Sequence, residues 1–434
     1  MSTERFVVLG LAHVRAGWFV EVSRWSTSGV APIEFVKCVS VDEVRGRLAG
    51  ARAVSAVLLD AQRTGVDRDL LAAAGDAGAA VIVIGDDRRD WIALGAAAQL
   101  PSQFSRRELV DTLTACASPI SRTDLRVEHR AEAVDVGWRG SLIAVTGPGG
   151  AGASTVAMAL AQSLAADARN LGLVLLADLA LDADLAMLHD ARDVVPGVQE
   201  MVEAFRSGTL DPEGVRALTF SVVDRGYHLL LGLRNHRDWT AIRPRAFDVA
   251  LDALRRTFRV VVADVDHDVE GHERTGSLEV EDRNVLARTT ATSADLVVVV
   301  GQPGTKGLHS LVRCVHRLIE HGVDGERIVP VFNRVGHTVR HRAELSRAFA
   351  QLTDTGQDVA LASPLFIPER RGLDSLITQA APLPRALTRP VGVAISALLD
   401  RRRPKAPVWS DAPERIAVGS LGTRFEAAED GSAW

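Results

Sequence analysis

The chain has 434 residues, 47% of them hydrophobic and 24% charged, with a net charge of −5. That length suits roughly two to three domains of an ordinary globular protein, and the slightly acidic balance leaves nucleic acid or anionic lipid to be met only by a local patch. No apolar run approaches the roughly 20 residues of a spanning helix and no leader pattern opens the chain, so the expected location is cytoplasmic. The widely spaced Cys38, Cys116 and Cys314 are expected to be reduced core thiols. Only Lys37, Lys306 and Lys405 are lysines among the 50 basic residues, so a lysine missing from a motif must be checked against replacement by arginine.

From 5 to about 117, the apolar runs RFVVLGL, EFVKCV, AVSAVLLD and AAVIVIG alternate with helix-like segments such as VDEVRGRLAG and RDLLAAAGDAG. This spacing predicts a small parallel sheet covered on both faces, a (βα)5 unit over 1–117. Residues 118–140 carry Pro, Ser and mixed charge without a sustained period and read as a linker. From 141 to about 400 the alternation resumes. The strands SLIAVT, LVLLAD, YHLLLGL, RVVVADV, DLVVVVG, RIVPVFN and VALASPLFI are separated by helical segments including STVAMALAQSLAADA and LHSLVRCVHRLIEHG. They predict a doubly wound, mostly parallel α/β domain over 141–400, with ligands beyond the carboxyl ends of its strands. Residues 401–434 lose the apolar period and are expected to be a disordered tail.

The first strand of this second unit runs into TGPGGAGAST, residues 146–155. Gly147, Gly149, Gly150 and Gly152, followed by Ser154 and Thr155 at a helix start, have the make-up of a phosphate cradle. Backbone N–H groups and a helix N-terminus point at an anion, and glycines let the chain approach it closely. From Gly147 the P-loop pattern G-x-x-x-x-G-K-[ST] is met except that Ala153 stands where the lysine belongs. The stretch more closely resembles the deviant pattern K-G-G-x-G-K-[ST]-T of the MinD/ParA family of partitioning and positioning ATPases, with Pro148 and Ala153 replacing both lysines. Neither replacement is arginine. A charge-assisted hydrogen bond contributes roughly 1.5–3 kcal/mol, so nucleotide binding is expected to weaken ~10- to 150-fold. Loss of a transition-state donor costs about 10² to 10³ in rate.

The resemblance covers about 141–400 and implies ATP or ADP with Mg²⁺, held on the metal side by Ser154 and by Asp264 at the end of FRVVVADV. In LLADLALDADLAML, Asp178 matches the first acid of the family's switch segment and Asp184-Leu185-Ala186 its later part. Ala180 replaces the acid expected to handle the attacking water, and Asp182 is a stand-in out of register. Asn333 matches the adenine-reading position, or is a turn-forming Asn before Arg334. Lys306 either compensates for the lost charge or is a solvated loop lysine. His267 and His272, beside Asp266, Asp268 and Glu270 in an acidic loop, are either metal ligands or solvated side chains. Pro368, Glu369 and Arg370 match a late segment that contacts the base in some members. No basic apolar anchoring helix is expected at the end, because the stretch 384–400 reads as a helix of the fold.

The (βα)5 unit resembles a response-regulator receiver stripped of its chemistry. Asp60 ends the third strand at the phosphoacceptor position. Leu11-Ala12-His13 follow the first strand where an acidic pair would hold Mg²⁺, and QLPSQF has no lysine near the fifth. Asp60 is then a strand-end or cap carboxylate. A degenerate receiver before a degenerate MinD-like domain is similar to the architecture of CpaE/TadZ proteins, including actinobacterial relatives described as septum-site determining. This implies a spatial regulator of pilus assembly or septum placement, acting as a homodimeric scaffold with weak or absent ATPase activity. It implies pilus, secretion or cell-division partners on the receiver-like part, and recruitment by partners to a pole, septum or inner membrane face. The alternatives are a slow ATP-dependent switch using Lys306 or an arginine, and a ParA-like DNA-partitioning protein, which the acidic balance disfavours.

Overall fold

Among the described residues, the β-branched and leucine runs of the sequence form thirteen strands in two sheets. The computed structural model describes residues 5–13, 15–49, 53–85, 89–120, 138–354 and 360–402. Most of the linker (121–137) and the tail from 403, with Lys405, lie outside the described residues.

The first sheet holds β1 (Phe6–Leu11), β2 (Ile33–Cys38), β3 (Ala56–Asp60), β4 (Ala80–Ile84) and β5 (Ala98–Leu100), all parallel and ordered β2-β1-β3-β4-β5. Its helices are α1 (Gly17–Thr27), α2 (Val41–Leu48), α3 (Arg68–Asp76) and α4 (Arg106–Cys116). Phe19 and Val22 of α1 and Leu109 and Leu113 of α4 pack on one face of the sheet, and Val44 of α2 and Leu70, Leu71 and Ala74 of α3 on the other. Side-chain caps fix three of these helix starts. Ser40 accepts from Glu43 N, Asp67 from Leu70 N, and Ser105 forms a capping box with Glu108. One crossover differs from the (βα)5 expectation, since the described residues between β4 and β5 form turns. There the fully buried Trp91 fills the space against the sheet.

The second sheet holds β6 (Ser141–Thr146), β7 (Val174–Leu179), β8 (Phe220–Val222), β9 (Tyr227–Leu230), β10 (Val260–Val265), β11 (Leu296–Gly301), β12 (Ile328–Val335) and β13 (Leu365–Pro368). Their order is β13-β12-β11-β6-β10-β7-β9-β8, parallel throughout except for β8 against β9. The early crossovers carry α5 (Ala153–Ala165), α6 (Leu185–Leu188), α7 (Val198–Ser207), α8 (Pro212–Ala217) and α9 (Pro244–Thr257). The later ones carry α10 (His272–Thr275), α11 (Leu278–Arg283), α12 (Val285–Ser293), α13 (Thr305–Glu320), α14 (Val339–Thr353), α15 (Leu373–Thr378) and α16 (Arg385–Arg402). This is a doubly wound, mostly parallel α/β sheet. The acidic loop of the sequence reading contains α10 and α11, because Ser277 caps the second by accepting from Val280 N.

Strand alternation sorts the side chains into two cores. Leu142, Ala144, Ala177 and Ala263 face α7, α9, α12 and α13; Ile143, Val145, Leu176 and Val262 face α5 and α16. α16 is a helix of the fold. Its Leu387, Val391, Ile395 and Leu399 are buried at helical spacing, and a Cβ at Gly392 would stand 2.0 Å from Ser163 Oγ of α5. Among the described residues, no helix is long and apolar enough to cross a membrane.

α3 joins the two sheets through helix ends. The buried Arg68 guanidinium donates to Phe205 O at 2.9 Å and Gly208 O at 3.3 Å, at the carbonyl end of α7. Asp69 accepts from Arg245 N, in the first turn of α9, at 3.1 Å, and Asp67 pairs with Arg206 at 3.0 Å. A cation at a carbonyl end and a carboxylate at an N–H end both complement the helix dipole.

Candidate functional site

β6 leaves the centre of the eight-stranded sheet directly into the glycine loop, which turns into α5. Gly147 passes so close to β11 that a Cβ there would lie 2.3 Å from Val300 O. Gly150 and Gly152 take φ of +76° and +89°, the left-handed region that glycine enters without steric cost. Gly152 is the cap residue of α5, which has neither a side-chain cap nor an acid in its first turn. The N–H groups of that turn are therefore left for an anion.

Two amides hold the loop by its carbonyls. Asn333, at the end of β12 and only 7% exposed, donates Nδ2 to Ala151 O at 2.9 Å, and its Oδ1 accepts from Arg334 N. Gln302, after β11, donates Nε2 to Gly150 O at 2.6 Å. Within the loop, Ala151 N donates to Pro148 O at 3.0 Å. Among the described residues no acceptor takes the N–H of Gly149, Gly150 or Gly152, which suits them to a phosphate. In this arrangement Asn333 is engaged as a brace of the loop. Gln302 sits in an ordinary Gln-Pro-Gly turn, a pattern that carries no local signal of this role.

Behind the loop stand two buried carboxylates. Asp264 of β10 and Asp178 of β7 are direct partners in register and face α5, opposite in parity to Ala263 and Ala177. Asp264 is 4% exposed and accepts a hydrogen bond from the Ser154 side chain; burial, reinforced by the charges of Asp266 and Asp184, pushes its pKa up to about 7 against that bond. Asp178 is 1% exposed. Its Oδ2 accepts from Leu185 N at 2.9 Å, while Oδ1 is buried without a partner. Burial first, and then the charge of Asp264, drive its pKa well above the carboxylate range. Thr146 Oγ1, at the end of β6, is also buried and unpartnered.

The site residues named from sequence fall into two groups. Gly147, Gly149, Gly150, Gly152, Ser154, Thr155, Asn333, Asp178 and Asp264 converge on one rim. Asp182 points elsewhere, exposed and bonded to His236 at 3.0 Å. Lys306 is exposed in the first turn of α13, and the side chain from that segment meeting the loop is Gln302. Pro368, Glu369 and Arg370 close β13, with Glu369 N donating to Val335 O. His267 and His272 belong to no group of three or more metal-ligating side chains among the described residues. Asp60 ends β3 in the other sheet, where Oδ1 accepts from Gln62 N at 3.0 Å.

A hydrogen-bond chain runs from Asp178 toward α16. Leu185, whose N–H holds Asp178, also accepts from His189 Nδ1 at 2.7 Å. That contact requires the proton on Nδ1, so Nε2 accepts from the Tyr227 hydroxyl at 2.7 Å. The Tyr227 oxygen in turn accepts from Arg225 Nη1 at 3.4 Å, and Arg225 donates to Ala381 O at 3.1 Å. Burial depresses the His189 pKa to about 4, which keeps the ring neutral and the chain directional.

No family model matches the sequence, and neither does any curated protein. Among solved structures the chain is similar to a plasmid partition protein from Borrelia burgdorferi B31 bound to AMPPNP, at 15% identity over 61% of this chain and 100% of that one, TM-score 0.45. It is similar to the cell division ATPase MinD of Pyrococcus furiosus, at 17% over 60% and 99%, TM-score 0.44. It is also similar to the MinC:MinD complex of Aquifex aeolicus, at 16% over 62% and 98%, TM-score 0.42. At these scores the likeness adds nothing to the strand order and loop geometry.

Proposed function

We propose that the protein is a spatial regulator of the MinD/ParA type, CpaE/TadZ-like in its domain order, that uses nucleotide as a structural ligand and does not turn it over. The division into a receiver-like part over 1–117 and a MinD-like part over 141–400 belongs to the same proposal. The observation that carries it is the contrast within one site. The loop's free N–H groups, its two left-handed glycines and the Ser154–Asp264 pair suit a phosphate and its Mg²⁺, yet Pro148 and Ala153 supply no charge and the nearby Lys306 is exposed. Ser154 and Asp264 would stand on the metal side and the loop N–H groups on the phosphates. Magnesium would supply positive charge beside the buried acids, and this chain's own residues bind and orient.

Hydrolysis lacks support in the same geometry. Ala180 has no group to orient water, and Asp182 is held away by His236. A site that binds without turnover suits a homodimeric scaffold, with pilus, secretion or cell-division proteins docking on the receiver-like part and carrying it to a pole, septum or inner membrane face. Titrating the full chain with ATP and with ADP, in the presence and absence of Mg²⁺, while following mass by light scattering, tests the reading. Saturable Mg²⁺-dependent binding with a shift toward dimer is expected. Absence of binding at millimolar nucleotide contradicts it.

A further inference from the structure

A groove of about 890 Å³ runs between the end of α5 and the outer side of α16, with the turn at 223–226 as its third wall. Its volume lies within the ~300–1,000 Å³ of small-molecule sites. Gln162, which lines it, holds the chain just before α16 by both amide atoms. Nε2 donates to Leu383 O at 2.9 Å, and Oε1 accepts from Leu383 N at 2.8 Å. The start of α16 is thereby fixed against α5.

Arg225 lines the groove yet is only 3% exposed. Its partners are all neutral. Nε and Nη2 donate to Ala381 O, and Nη1 donates to the Tyr227 hydroxyl and to Met158 Sδ. These four contacts leave one of the five guanidinium N–H donors over, and among the described residues no carboxylate pairs with Arg225. Buried charges are ordinarily paired, because taking an ion out of water is costly, so a bound anion would supply what this position lacks.

The other charges of the groove favour an anion too. Arg385 and Arg389, exposed and one helical turn apart on α16, line it, and neither has an ion pair among the described residues. The acids there are Asp167, Asp224 and Asp400. Arg169 takes the first at 2.7 Å and the third at 3.6 Å, so Asp224 stands against three guanidinium groups. α16 has 18 residues and no acid in its first turn, and its N–H end adds positive potential beside Arg385.

We propose that this groove binds a small organic phosphate, with the phosphate group at Arg225, Arg385, Arg389 and the first turn of α16. A phosphate brings up to two charges and three acceptor oxygens, which suits several donors better than a carboxylate does. Val223 and Val393, 82% and 61% exposed on the walls, give apolar contact to the rest of the molecule. Arg225 also belongs to the hydrogen-bond chain that starts at Asp178. The proposal does not depend on the glycine loop being a nucleotide site.

The test uses the full chain, inorganic pyrophosphate without Mg²⁺ as probe, and thermal unfolding as readout. Gly150→Asp, which introduces a residue type that tolerates left-handed φ, places a carboxylate in the glycine loop and removes phosphate binding there. In that background millimolar pyrophosphate is expected to raise Tm by about 2 °C or more. Adding Arg385→Gln and Arg389→Gln is expected to abolish the rise. Val393→Glu, which keeps both arginines and sets a carboxylate one turn from Arg389, is expected to abolish it as well. Arg107→Gln with Arg340→Gln, two exposed arginines outside the groove, is expected to leave it in place. Absence of a rise in the Gly150→Asp protein, a rise surviving either blocking change, or its loss in the Arg107 and Arg340 control overturns the proposal. Loss of ATP binding in Gly150→Asp bears only on the glycine loop.

Discussion

Asp178 and Asp264 end adjacent strands in direct register, both buried and both facing the start of α5. Ala153, the first residue of that helix and the position of the lysine in the P-loop pattern, carries no charge. Two carboxylates are thus held behind a phosphate-type loop with no lysine to balance them, and burial raises both pKa values.

Ala153→Lys should restore the missing charge. A charge-assisted contact to phosphate is worth roughly 1.5–3 kcal/mol, so ATP is expected to bind ~10- to 150-fold more tightly in a fluorescent-nucleotide titration. An unchanged affinity would mean that the loop does not meet phosphate.

Gly152→Ala should destabilise the chain by about 1–3 kcal/mol, the cost of a left-handed non-glycine residue. The added Cβ would also stand 2.5 Å from Asn333 Nδ2 and displace the brace on Ala151 O. Chemical denaturation gives the first quantity, and faster amide exchange across 147–153 reports the second.

His189 gives a pH dependence with a definite sign. Burial holds its folded pKa at about 4, below the ordinary imidazole value of 6.5, so its contribution to stability is fully present above about pH 6.5 and is lost as pH falls through about 4. The loss is at most about 3 kcal/mol. A stability profile from pH 7 to 4 should be shallower for His189→Gln than for the parent.

Arg68→Ala should leave the carbonyls of Phe205 and Gly208 without their donor and cost about 1.5–3 kcal/mol. Since Arg68 ties α3 to α7, the expected signature is a thermal transition that splits in two. A single transition at unchanged Tm would show that the two sheets do not depend on this contact.

The long apolar runs made most of this architecture readable from sequence, because a strand buried on both faces declares itself by an unbroken run such as LVVVV at 296–300. Phe220-Ser221-Val222 is too short to stand out, so the antiparallel edge strand β8 went unseen. The crossover before β5 reads as helical by composition, yet Trp91 fills that space from a run of turns. At the site, the glycines and acids were legible by spacing. The brace from Gln302, the His189–Tyr227 contact and the Arg68 clamp were not, since each joins residues at least 38 positions apart by side-chain geometry that no local pattern encodes.

Phosphate release from ATP by the full chain with Mg²⁺, measured beside the Gly150→Asp protein, tests the central claim most directly. A loop that binds nucleotide without turning it over predicts ATP binding lost in the variant, with phosphate release equal in the two proteins. Release from the parent chain well above that of Gly150→Asp would contradict it.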